Sequence, residues 1–130
     1  MRDDVLEWLR FANADRRAAR RLIAGQDPLI GPAAYHVQQA AEKIVKGLII
    51  WHGIEPTRTH DLDRLLRLLP ETDPAYDTID RLHSVTEWAV SFRYPTEAVT
   101  ETPSVNRVLI MLALVDEVYD TVMGRAASQG

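Results

Sequence analysis

No cysteine occurs among the 130 residues, so no disulfide, thiolate nucleophile or thiolate metal ligand is available, and the interior has to hold itself by packing. There is no basic surplus either. Fifteen lysines and arginines against 19 aspartates and glutamates leave a net charge of −4. That excludes general duplex DNA binding by bulk electrostatics, because phosphate neutralisation needs clustered cations. Apolar runs such as Gly47-Leu48-Ile49-Ile50-Trp51 fall far short of the about 20 residues that a membrane span requires. The N-terminus opens Arg2-Asp3-Asp4 without an apolar stretch, so neither a signal peptide nor a membrane anchor is expected, and the expected compartment is the cytoplasm.

Catalytic signatures are missing as well. The chain has no glycine-rich phosphate loop, no His-Glu-x-x-His helix and no serine elbow. Its four histidines, His36, His52, His60 and His83, stand singly and at no ligand spacing, and tetrahedral zinc needs several convergent donors. No metal and no cofactor are therefore expected. No segment alternates with period two for long enough to make a strand, and neither an internal repeat nor a low-complexity tract is present.

What the chain does carry is helical periodicity cut by clear punctuation, with a length that suits one domain over 1–130. Asp3 or Asp4 caps a first helix with Val5, Leu6, Trp8, Leu9, Ala12, Ala19, Leu22 and Ile23 at helical spacing, ending at Gly25. Gln26-Asp27-Pro28 and Gly31-Pro32 force a loop, and a second helix runs from about Pro32 to His52, stopped by Gly53 and Pro56. Thr59 is read as the cap of a short third helix with Leu62, Leu65, Leu66 and Leu69 inside, ended by Pro70. Asp73-Pro74 starts a fourth, through about Val90, with Ile79, Leu82, Val85, Trp88 and Ala89 inside. Thr102-Pro103 starts a fifth through Val105, Val108, Leu109, Leu112, Val115, Tyr119 and Val122. The expected fold is all-α, an up-and-down bundle of about five helices with short loops.

The second helix is the most informative element. Ala33, Val37, Ala40, Ala41, Ile44, Val45 and Leu48 make an apolar stripe, and His36, Gln39, Lys43 and Lys46 form a polar row beside it. Such a row is either an ordinary solvated bundle face or a binding surface. Arg16, Arg17, Arg20 and Arg21 on the first helix and Asp116, Glu117 and Asp120 on the last are opposed patches that pair or face water, or else the arginines form a phosphate-facing strip. Between the fourth and fifth helices, Ser91-Phe92-Arg93-Tyr94-Pro95-Thr96 presents an arginine between two aromatic rings, with Pro95 biasing Tyr94 to extended backbone.

Tyr35-His36-Val37-Gln38-Gln39-Ala40-Ala41-Glu42-Lys43-Ile44-Val45-Lys46, then Thr59-His60-Asp61-Leu62-Asp63-Arg64-Leu65-Leu66, then Arg93-Tyr94-Pro95, resembles in order and separation the HEPN domain (higher eukaryotes and prokaryotes nucleotide-binding). The resemblance covers nearly the whole chain. It implies a bundle of about five helices, a frequent homodimer, residence in bacteria or archaea, and a small nucleotidyltransferase as partner in a two-gene, toxin–antitoxin-like module. Several branches of that family are ribonucleases, whose motif sets an arginine about four to six intervening residues before a histidine. None of the four histidines here has an arginine at that distance; Lys46 before His52 is the nearest mimic, and lysine lacks the planar fork that clamps phosphate.

The resemblance thus implies a non-catalytic protein that binds a nucleotide or RNA. In that reading Lys43 and Lys46 supply point charges to phosphate, Arg93 a bidentate clamp and Tyr94 a stacking face. His36 and His60 donate to phosphate or sugar and add pH sensitivity near neutrality. Gln39, Glu42 and Asp61 support them, with Glu42 orienting Lys43, Lys46 or Arg93. The alternatives are a buried polar tie of His36, Glu42, His60 and Arg93 in a structural protein-interaction module, and a divergent ribonuclease.

Overall fold

The computed structural model describes residues 3–91 and 102–128, and among these every regular element is helical. Three long helices dominate: α1 (Asp3–Ile23), α2 (Ile30–Trp51) and α6 (Val105–Ser128). Between α2 and α6 lie short pieces, α3 (Leu62–Leu66), α4 (Tyr76–Asp80), a 3-10 turn (His83–Glu87) and α5 (Trp88–Ser91). The bundle is all-α, as expected.

Asp3 and Asp4 lie within the first turn of α1 rather than before it as a cap, and Asp4 Oδ1 accepts from the adjacent Val5 N at 2.8 Å. Gly25 leaves the helix with φ +90, the left-handed conformation that glycine adopts at little cost. Helix α2 begins two residues earlier than the prolines suggest. Pro32 sits in its first turn, where an N–H would find no intrahelical acceptor in any case.

The third, fourth and fifth expected helices need correction. Asp61, not Thr59, caps α3: its Oδ1 accepts from Asp63 N at 3.0 Å, while Thr59 Oγ1 accepts from Asp61 N at 3.1 Å. The expected fourth helix is broken into α4, the 3-10 turn and α5. His83 Nδ1 bonds Asp80 O at 2.8 Å, and Thr86 Oγ1 takes a bond from Leu62 N at 3.1 Å. The first is a local side-chain alternative to a continuous ladder, and the second ties the turn to the start of α3. Ile79, Leu82, Val85, Trp88 and Ala89 still face inward. At α6 it is Ser104 whose hydroxyl accepts from Arg107 N at 3.0 Å, rather than Thr102. Leu109, one of the apolar residues along this helix, is exposed.

The core is the joined apolar faces of α1, α2 and α6, closed by the short helices. Leu9, Ile44, Leu48, Ile49, Leu62, Leu65, Ile79, Leu82 and Leu112 are its large, fully buried side chains, each worth about 1.5–3 kcal/mol of apolar burial. Helices α1 and α2 are antiparallel, since Trp8 near the start of α1 packs on Gly47 near the end of α2. A Cβ added at Gly47 would lie 3.3 Å from that of Trp8, so glycine is what lets the two backbones approach.

Arg16 Nε donates to Asp116 Oδ1 at 2.8 Å and Arg20 bonds the same carboxylate, while the Arg16 guanidinium stacks over the Tyr119 ring at 3.9 Å. The opposed charge patches therefore face one another at these positions and pin α1 to α6.

Candidate functional site

Two interior positions of helical stripes are occupied by charge. On α1 the buried series Val5, Leu9, Ala12, Ala19 and Ile23 includes Asp15, and on α2 the buried face includes Gln38 and Glu42. A carboxylate taken out of water has to be paired, and the polar row of α2 supplies the partners.

Asp15 takes two. His36 Nδ1 lies 2.8 Å from Oδ1, and Lys43 Nζ donates to Oδ2 at 2.6 Å. Glu42, with only 6% of its side chain exposed, takes three: Lys46 Nζ to Oε2 at 2.9 Å, His60 Nδ1 to Oε1 at 2.6 Å and Gln38 Nε2 to Oε1 at 3.0 Å. Gln39 Nε2 then donates to Gln38 Oε1 at 2.7 Å. The result is two repeated units along one helix face, each a carboxylate holding one lysine and one histidine from behind. Burial pushes the Glu42 carboxyl up, but the hydrogen bonds from Lys46, His60 and Gln38 and the charge of Lys46 outweigh it, so its pKa lies below the usual glutamate value.

The structure divides His36, Lys43, Lys46 and His60 between two carboxylates, Asp15 and Glu42, with Gln39 reaching Glu42 through Gln38. His36 is tied to Asp15 on α1, not to Glu42. Glu42 orients Lys46, while Lys43 goes to Asp15. Asp61 is the cap of α3 and lies 3.9 Å from Arg64 Nε; its bonds serve that helix rather than the row. Arg93 and Tyr94 lie outside the described residues. Exposure is graded across the basic side chains, from 13% for the Lys46 side chain to 51% for His60.

Asp15 and Trp8 were missed by sequence reasoning. Asp15 had a signal, an acidic residue at the one polar step of an apolar stripe. Trp8 had none beyond its place on α1; its ring lies 5.8 Å from Lys46 Nζ, a cation–π contact that joins the two helices at the end of the row.

A separate buried carboxylate, Asp73, has no side-chain exposure. His52 Nε2 lies 2.7 Å from its Oδ2, Arg125 spans both oxygens at 3.1 and 3.2 Å, and Ala75 N donates to Oδ1 at 2.8 Å. Burial raises its pKa, and the Arg125, Ala75 and His52 hydrogen bonds bring it below the usual aspartate value. This knot joins the ends of α2 and α6. It also separates the nearest ribonuclease mimic, because Lys46 and His52 belong to different carboxylates. Fold topology brings His83 beside Asp63 and Asp80, with ligand atoms within 4.8 Å of one another; all three are exposed, an arrangement that acidic surfaces commonly show without an ion.

The HEPN domain family matches residues 5–125. No curated relative matches. Among solved structures, TT1696 from Thermus thermophilus is similar to this chain with 23% identity and a TM-score of 0.72, over 95% of this chain and 98% of that one. That likeness speaks to the fold.

Proposed function

The chain belongs to the HEPN domain family, and from that premise we propose that it is a non-catalytic nucleotide- or RNA-binding accessory protein. In this reading it is a cytoplasmic prokaryotic homodimer acting with a small nucleotidyltransferase partner in a toxin–antitoxin-like pair. The observation that supports it most is the row on α2. Lys43, Lys46, His36 and His60 are gathered around Asp15 and Glu42, each with one nitrogen held by a carboxylate. A donor held in place loses less rotamer entropy when it meets a phosphate. Arg93 and Tyr94 are the further residues proposed to join this surface.

The same bonds favour a second reading, in which the row is only a structural tie of a protein-interaction module, because each of these four basic side chains already has a carboxylate partner. Calorimetric titration with ATP, GTP and a short RNA separates the two. Heat from at least one of them, weakened by Lys43→Gln and by added salt, supports binding. No heat from any, with no shift of Tm, leaves the structural tie. Cleavage of RNA by rigorously purified protein, lost on His36→Ala or His60→Ala, would overturn the non-catalytic reading.

A further inference from the structure

The face of α1 that borders the row carries Asp4, Trp8, Phe11 and Asp15 at spacings of four, three and four, a single helical stripe. Its Asp15 end holds His36 and Lys43, and its Trp8 ring lies beneath Lys46. Between Asp4, Glu7, Trp8 and Phe11 the surface sinks into an apolar groove of about 270 Å³. Phe11 is 51% exposed there, and the Arg10 guanidinium stands 5.6 Å from its ring centroid. Two rings are thus set in water-accessible positions, one beside Lys46 and the other beside Arg10, with nothing in the described chain covering the groove.

Flat rings bordered by ammonium and guanidinium groups match the two things an unpaired nucleotide offers, a π-face and a phosphate. A duplex offers no free base face, and the chain's net charge of −4 argues against broad electrostatic attraction. Asp4 and Glu7 at the rim set the orientation. Carboxylates repel phosphate, so the backbone of a bound strand is driven toward α2, leaving the bases over the rings. Glu7 itself is tied to Arg10 at 2.6 Å.

We infer that Trp8 and Phe11 form a stacking platform for the unpaired bases of single-stranded RNA, whose phosphates run along His36, Lys43, Lys46 and His60; the inference rests on the phosphate-binding reading above. The platform gives that reading base contacts built from α1 and independent of Tyr94.

The test uses the full chain with two probes, an eight-nucleotide oligoadenylate and inorganic tripolyphosphate, against Phe11→Ala, Phe11→Trp and Lys43→Gln. Phe11 is a surface side chain, and circular dichroism checks that each variant folds. Phe11→Ala is expected to weaken oligoadenylate binding by about five- to 150-fold, the range of one lost base–aromatic stack. Phe11→Trp retains binding, and tripolyphosphate responds to neither. Lys43→Gln weakens both probes. Unchanged oligoadenylate affinity in Phe11→Ala overturns the platform, and a loss of both probes in Lys43→Gln then leaves the phosphate reading standing. Binding that depends on Phe11 but not on Lys43 keeps the platform and removes the phosphate row. Binding of neither probe overturns both. A fall in mass by light scattering in Phe11→Ala, with RNA affinity unchanged, makes the patch a contact between copies and the platform wrong.

Discussion

Removing the charge of Glu42 while keeping its shape is the most discriminating perturbation of the row. Glu42→Gln leaves one oxygen and one amino group where Lys46, His60 and Gln38 all present donors at 2.9, 2.6 and 3.0 Å. At least one donor then faces the new amide N–H₂, and Lys46, 13% exposed, loses its counter-ion. Breaking a buried pair costs about 3–5 kcal/mol. His60 is half in water and can re-solvate, so the expected loss is about 2–3 kcal/mol at pH 7. The dependence on pH follows from linkage. The folded-state pKa of Glu42 is depressed, so its stabilisation is present above the ordinary glutamate value of 4.5 and is lost as pH falls through the lower folded value. Urea unfolding of both proteins by circular dichroism, from pH 7 down to about pH 3, reads the difference directly. It should shrink steadily below 4.5. A variant within about 0.5 kcal/mol of the parent at pH 7, the level of an ordinary surface change, would refute Glu42 as the centre of the row, as would a difference independent of pH.

Asp73→Asn should cost about 3 kcal/mol or more by calorimetric or urea unfolding, because Arg125 and His52 both lose the carboxylate that joins the ends of α2 and α6. Its folded-state pKa is likewise depressed, so this loss too should fade with acid, below the ordinary aspartate value of 3.8. Asp61→Ala should cost about 1 kcal/mol as a lost helix cap and leave the affinity for any phosphate probe unchanged; a binding defect would return Asp61 to the site.

The long helices were legible because their signals are local. Val5, Leu9 and Ala12, or Val37, Ala40, Ala41 and Ile44, repeat at helical spacing, and all are buried. The stretch from Asp73 to Val90 was read as one helix because its apolar spacing is helical throughout, and spacing does not report His83 and Thr86 bonding to Asp80 and Leu62. The same limit governs the site. His36, Gln39, Lys43 and Lys46 share a face by periodicity alone, but which carboxylate each one finds depends on how α1 lies across α2. Asp15 is 21 residues before His36 and 28 before Lys43, and no spacing rule within a helix reaches that far. His52, Asp73 and Arg125 come from three separate segments and meet only because α2 and α6 end side by side.

The carboxylates also decide what kind of surface the row offers to the proposed ligand. Lys43 is neutralised by Asp15 and Lys46 by Glu42, so with neutral imidazoles the row carries no net charge in spite of its four basic groups. A strand lying on it would release few counterions, and its affinity would come from directed hydrogen bonds and from stacking on Trp8 and Phe11. For single strands the slope of log K against log salt is about −0.7 per phosphate neutralised, so at about pH 8, where free imidazole is uncharged, the two lysines unmasked would give about −1.4. Oligoadenylate titrated there should instead give a slope of about −0.5 or shallower. Asp15→Asn, which unmasks Lys43, should steepen it by about 0.7 and tighten binding at low salt. A parent slope of about −1.4 or steeper, or an Asp15→Asn variant with an unaltered slope, would show that Asp15 and Glu42 do not mask the lysines, and that binding is governed by charge rather than by the rings of α1.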